Sequence, residues 1–177
     1  MSFIQQTMVA SPRIKRLRDF VIAIGHLVEN TMDEPAILQE GARLLKELVR
    51  VDDWLPARYA DPTVGGYQQY LLHVDSLERF SVVSFVWGPG QKSPIHDHTV
   101  RGIVGMLRGA ELEQSYSRTL DGRFAGQGAP KRLERGEVTA VSPAIGDFHQ
   151  VSNALNDQRS TSIHVYGAHF GGLRRSR

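Results

Sequence analysis

Apolar residues recur every three to four positions through "RIKRLRDFVIAIGHLVEN", where Ile14, Leu17, Val21, Ile24 and Val28 fall on one side of a helical wheel. Ser11 and Pro12 precede the run, a capping residue and one suited to a first turn, so the pattern predicts an amphipathic helix. A second helix is predicted over "EPAILQEGARLLKELV". Asp33 supplies a cap, Pro35 fits the first turn, and Ile37, Leu38, Leu44, Leu45, Leu48 and Val49 form the apolar face. The polar, Pro- and Gly-containing stretch "VDDWLPARYADPTVGG" reads as a connection.

From Tyr67 the period changes to that of strands. The runs "YQQYLLHV", "RFSVVSFVW", "RGIVGML", "ELEQSYSR", "EVTAVSP", "HQVSN" and "STSIHVYGA" are separated by turn signals such as "GPG", "DG" and "IGD". Many short strands at this spacing predict a mainly β fold, a sandwich or small barrel with two helices packed outside it. We assign one domain over residues 1–177, with a helical N-terminal region to residue 55 and the barrel over residues 67–170.

Composition removes several classes of function. The chain has no cysteine, which excludes disulfides, a thiolate nucleophile, iron–sulfur clusters and cysteine-ligated zinc, so a metal would be held by nitrogen and oxygen. The net charge is +2, and the scattered arginines cluster only in "LRRSR", which argues against a nucleic-acid partner. No apolar run reaches the ~20 residues of a membrane span, and "MSFIQQTMVASPRIKRLRDF" lacks the apolar centre of a signal peptide. No membrane partner and a cytoplasmic location are therefore expected, and a homo-oligomer is left open.

The candidate chemistry lies in "SPIHDHTVRGIVGMLRGAE". If this segment is a strand, His96 and His98 project to one face and Asp97 to the other. Two neutral imidazoles on one face suit Fe, Zn, Cu or Ni. The surrounding residues fit the first cupin motif, a glycine, five residues, His-x-His, an acidic position and a closing glycine, through Gly90, His96, His98 and Gly109. Gly102 occupies the acidic position. The second motif follows as "GEVTAVSPAIGDFHQVSN", with Gly136, Pro143, Gly146, His149 and Asn153, and makes His149 the third ligand. The expected fold is accordingly a cupin-type barrel, a double-stranded β-helix or jelly roll.

With three histidines and no glutamate, the ligand set resembles that of the thiol dioxygenases, the cysteine dioxygenase family. "DDWLP", "YQQYLLHVDS", "RFSVVSFVWGPGQ", "PIHDHTV", "GMLRGAE", "GDFHQVSN" and "STSIHVYG" resemble most closely the bacterial branch that acts on 3-mercaptopropionate. The resemblance implies Fe2+ at His96, His98 and His149, a small thiol and O2 as reactants, and a sulfinic acid as product. It also implies a hydrogen-bonded relay of Ser162, His164 and Tyr166, which alternate on "SIHVY" and so share one face.

The family's cysteine dioxygenases carry an arginine for the substrate carboxylate where this chain aligns Gln69, an amide that donates one bond and accepts another. Gln69 and Tyr166 are therefore the expected substrate contacts, with 3-mercaptopropionate favoured and cysteine the alternative. Phe85 and Trp87 are expected to line or support the pocket, and His26 and His73 to be structural. Two departures stand out. Arg101 replaces the usual tryptophan, and relatives continue beyond "GGLRRSR", which implies poorer exclusion of solvent and leaves a carboxylate role for Arg174 or Arg175 open. The competing reading is a cupin that binds a small molecule as a sensor, or a zinc or manganese isomerase.

Overall fold

The computed structural model describes residues 12–62, 65–144 and 148–172. Ser11, Gly146, Arg174 and Arg175 lie outside these, as does the "IGD" turn signal. Two helices, α1 (Pro12–Asn30) and α2 (Glu34–Val49), precede eight strands among the described residues. The junction between the helices follows from the sequence: Asp33 accepts a hydrogen bond from the Ala36 N–H at 3.0 Å, and Pro35 sits in the first turn of α2. Ile14, assigned by period to the apolar face of α1, is 60% exposed at the start of the helix, and the buried face begins at Phe20 and Ile24.

The strands are β1 (Gln68–Val74), β2 (Ser81–Trp87), β3 (Gly102–Arg108), β4 (Ala110–Arg118), β5 (Phe124–Glu134), β6 (Val138–Val141), β7 (Phe148–Asn153) and β8 (Ser160–Tyr166). They form a five-stranded sheet in the order β1-β2-β8-β3-β6 and a three-stranded sheet in the order β5-β4-β7, with every pairing antiparallel. β5 has no counterpart in the sequence reading. "FAGQGAPKRLE" carries no apolar alternation because this edge strand is exposed along most of its length and buries only Leu133.

Alternation in the large sheet divides the molecule into two cores. Val82, Ile103, Ile163 and Val165 face the helices and pack with Phe20, Ile24, Leu45, Leu48 and Val49. The helix approach is close at Gly105, where an added Cβ would lie 2.9 Å from Leu45 Cγ. The opposite face presents Val83, Phe85, Trp87 and Tyr166, with Val104 and Met106 packing on Leu133 from β5. The space between the two sheets is therefore roofed by strands alone, and the helices brace it from outside. Arg108 locks the connection after α2 to β3 through two bonds to Asp52, at 2.6 and 2.7 Å. Among the described residues no helix is long and apolar enough to cross a membrane.

Candidate metal centre

The segment carrying His96 and His98 is not a strand. It pairs with β7 through two isolated bridges, Lys92 to Ser152 and His96 to His149, and in the second each backbone N–H donates to the other residue's carbonyl at 2.9 Å. Pro94 lacks the N–H that a continuous ladder needs. Convergence of the histidines thus comes from docking this segment onto β7 rather than from strand alternation. Ser93 strengthens the docking: its N–H donates to the Val151 carbonyl at 2.8 Å and its Oγ accepts from the Val151 N–H at 3.0 Å.

His96, His98 and His149 present ligand atoms that all lie within 4.8 Å of one another. His98 Nε2 and His149 Nε2 are 2.8 Å apart. The far nitrogens of two rings are already engaged, His96 Nδ1 with the Pro94 carbonyl at 3.0 Å and His149 Nδ1 with Glu113 Oε1 at 2.5 Å. Each of these Nδ1 atoms carries its proton toward an acceptor, which leaves Nε2 as the lone-pair donor toward the shared centre. Three neutral imidazoles, two of them held by their outer nitrogens, are the donor set a divalent transition metal requires. The bond from His149 holds the Glu113 carboxyl below its usual range against the opposing effect of burial.

Gly102, at the motif's acidic position, pairs with Tyr166 across β3 and β8. A Cβ there would meet Tyr166 Cδ1 at 3.0 Å and Val141 Cγ2 at 3.2 Å. The position is filled by the tyrosine ring, whose centroid lies 6.0 Å from that of His98. Arg101, by contrast, lies on the helix-facing side with Ile24 and Leu38, outside the cavity that holds the histidines.

That cavity lies between the sheets, and its lining brings the three histidines together with aromatic and apolar side chains. Phe85 and Trp87 line it, as do His164 and Tyr166. On β8, Ser162 Oγ is 2.9 Å from His164 Nε2, and His164 Nδ1 is 2.9 Å from the Tyr166 hydroxyl. Phe85 stacks on the His164 ring, with centroids 4.0 Å apart, and restrains its orientation. Gln69 is opposite Phe85 in the β1–β2 register and so on the cavity-facing side of the sheet. It is partly buried and lies at the edge, outside the cavity's lining. Gln68 faces the other way. His26 is not a core residue: its side chain is 70% exposed, beside Glu29. His73 is the structural residue expected, packed on Phe80 with its proton affinity lowered by burial.

Two residues of the cavity escaped the sequence reading. Glu111 and Glu113 alternate on β4 and both turn inward, although an acidic pair on an amphipathic strand reads as its solvent face. Glu113 meets His149. Glu111 is buried at 3% exposure, and removal from water pushes its carboxyl from the ordinary 4.5 up to about 8. Their i, i+2 spacing puts both on one face of β4, and nothing in the sequence turns that face inward.

Comparison with known proteins agrees with this geometry. A family model described as cysteine dioxygenase type I matches residues 45–176. Cysteine dioxygenase type 1 of Danio rerio is 24% identical over 99 residues, covering 54% of this chain and 49% of that protein. The chain thus spans about half the length of this relative. Among solved structures, a conserved protein with a double-stranded β-helix domain from Klebsiella pneumoniae superposes with a TM-score of 0.53 at 16% identity, covering 68% of this chain and 85% of that one. A cupin-like protein from Thermotoga maritima gives 0.51 at 18% identity, over 71% and 87% of the two chains. These two likenesses are of fold, a cupin-type double-stranded β-helix.

Proposed function

The chain belongs to the cysteine dioxygenase type I family, and from that premise we propose that it is a non-haem iron thiol dioxygenase. It would convert a small thiol carboxylate and O2 to the sulfinic acid, RSH + O2 → RSO2H, with 3-mercaptopropionate preferred to cysteine. The observation that carries the reading is the convergence of two arrays on one cavity: the histidines 96, 98 and 149, and the chain from Ser162 through His164 to Tyr166. A cupin that only binds a ligand has no need of the second array.

His96, His98 and His149 would hold the ion through Nε2. Ferrous iron, when bound, supplies a redox centre that a thiolate and O2 can both reach. The protein's own residues do the rest. Glu113 fixes the His149 ring and its tautomer, and Pro94 does the same for His96. Phe85 and Trp87 exclude water on one side. Tyr166, with its hydroxyl 2.9 Å from His164 Nδ1 and its ring centroid 6.0 Å from that of His98, lines the same cavity. Among the described residues the cavity's lining carries no lysine or arginine, so the substrate carboxylate needs a partner from outside that lining. Gln69 at the edge offers an amide whose N–H can donate to the carboxylate.

The direct test is an oxygen-electrode comparison of 3-mercaptopropionate, cysteine and cysteamine on iron-loaded protein. The expected result is O2 consumed in equal amount with sulfinate formed, fastest with 3-mercaptopropionate. Folded, iron-loaded protein without thiol-dependent uptake would overturn the assignment in favour of a sensor or a zinc or manganese isomerase.

Two variants probe individual roles. Tyr166→Phe should keep its iron and lose turnover on the order of 10²-fold, or take up O2 without matching sulfinate, because a positioned proton donor has been removed. Parent-like behaviour would exclude the hydroxyl from the reaction. Gln69→Arg supplies a charge-assisted partner, typically worth about 1.5–3 kcal/mol for a bond to an ionised group. The ratio of kcat/KM values should move toward cysteine at constant iron content. An unchanged ratio would mean that the carboxylate is held elsewhere, with Arg175 next to be tested.

A further inference from the structure

We propose that Glu111 is a positioning residue that sets the direction of hydrogen-bond donation along Ser162, His164 and Tyr166, and so decides whether the Tyr166 hydroxyl offers its proton to the cavity. The proposal rests on the dioxygenase reading for its consequence, though not for its geometry.

Glu111 lies beneath the β8 array. Ser160 Oγ donates to Glu111 Oε1 at 3.4 Å, and the Ser162 hydroxyl, next along the same face of β8, favours the charge of the same carboxyl. The Trp87 indole adds a weaker interaction of the same sign, its buried N–H having no partner of full hydrogen-bond geometry. Four groups therefore form one chain, from Glu111 through Ser162 and His164 to Tyr166.

Donor and acceptor inventories fix its two states. An ionised carboxylate only accepts, so the Ser162 proton is committed to Glu111. Ser162 then accepts from His164 Nε2–H, the bare Nδ1 accepts from the Tyr166 O–H, and the phenol faces the cavity as an acceptor alone. A protonated Glu111 no longer requires both serine protons and has one of its own to donate. Ser162 is released to donate to Nε2, Nδ1 carries the ring proton and donates to the Tyr166 oxygen, and the Tyr166 proton is no longer committed to His164. A proton passed from Glu111 to His164 has the same outcome at Tyr166.

The surroundings suit such a switch. The carboxyl titrates near pH 8 because burial opposes its charge. Among the described residues the charged group acting on it is Glu113, on its own strand, which raises it further and is itself paired with His149. β8 presents Ser160, Ser162 and His164, and β2 presents the Trp87 indole. β5 opposes Glu111 with apolar Leu133, and β7 opposes it with Asn153, whose amide is occupied by the carbonyls of Trp87 and Gln158.

The test reads the His164 tautomer by nitrogen NMR of histidine-labelled, metal-free protein, with His164 assigned by difference from His164→Gln. The parent should hold the proton on Nε2 at high pH and move it to Nδ1 as pH falls through about 8. Glu111→Gln cannot ionise and should show one tautomer ratio throughout, and the same loss of pH dependence is expected in Ser162→Ala, which cuts the chain between Glu111 and His164. In iron-loaded protein, the pH–rate limb near 8 should disappear in Glu111→Gln while iron content is kept. A tautomer shift that survives either substitution, or no shift in the parent, overturns the proposal. Because the NMR arm needs no turnover, failure of the dioxygenase reading would appear separately, as absent activity with an intact tautomer switch.

Discussion

His149→Ala is expected to reduce bound metal to background, with loss of thiol-dependent O2 uptake. Among the described residues the centre offers only three ligands, and no carboxylate joins them. Removing His149 keeps the backbone bridge to residue 149 and leaves two imidazoles on an irregular segment as the only donors of this cluster. Substituting a residue that merely orients a metal ligand typically weakens affinity by about 10–100-fold. Deleting the ligand itself should exceed that, and His96→Ala and His98→Ala should match it. Glu113→Gln gives the graded comparison: the ring keeps its place and loses its charged anchor, so affinity should fall within the 10–100-fold range. His26→Ala, on the exposed side of α1, should change nothing. Metal content after equilibration against a limiting chelator ranks the variants. Equimolar metal retained by any of the three alanine variants would remove that residue from the ligand set.

The parts of this centre that the sequence makes legible are those governed by period. Ser162, His164 and Tyr166 alternate on a strand buried on both faces, and the alternation alone brings their side chains into one row. The helices were equally readable, because α1 and α2 each bury one stripe against the large sheet and end on recognisable caps or turns. The His96–His98 segment is not the strand its spacing suggests for a definite reason: i, i+2 spacing is a strand signature only where a ladder exists, and here a proline and isolated bridges replace it. β5 was invisible because an exposed edge strand leaves no apolar alternation to read. Glu111 and Glu113 were hidden by the opposite fault. Hydrophobicity assigns acidic residues to the solvent side, and only the register of β4 against β7 and the contact of Glu111 with Ser160 on β8 reveal that this face closes over the cavity. Gln69 shows the limit of alternation, which fixes the face of β1 it occupies but not how far its amide reaches.

Glu111→Gln should also remove a pH dependence of stability, an effect distinct from any role in catalysis. In the folded protein the carboxyl titrates near 8, against 4.5 when exposed, because burial disfavours the charge more than its hydroxyl donors favour it. Between these two values the native state holds a proton that the unfolded chain has released. Stability must therefore fall as pH rises from about 4.5 to about 8 and level off above the folded value. At ~1.4 kcal/mol for each pH unit crossed, the contribution lost over this window is on the order of 3–5 kcal/mol. Glutamine has nearly the same shape and no charge to bury. Near pH 5 the variant should be equal to the parent or about 1 kcal/mol less stable, since the amide brings two donor protons where the protonated carboxyl has one. At pH 9 it should be more stable than the parent by ~2–4 kcal/mol. Urea denaturation of metal-free protein at the two pH values measures the difference without the stabilisation that a bound ion would add. A stability difference between parent and variant that is the same at both pH values would show that Glu111 enters the folded state already ionised. Its place beneath Ser162 would then be one of fixed acceptance, with the Tyr166 proton held permanently toward His164.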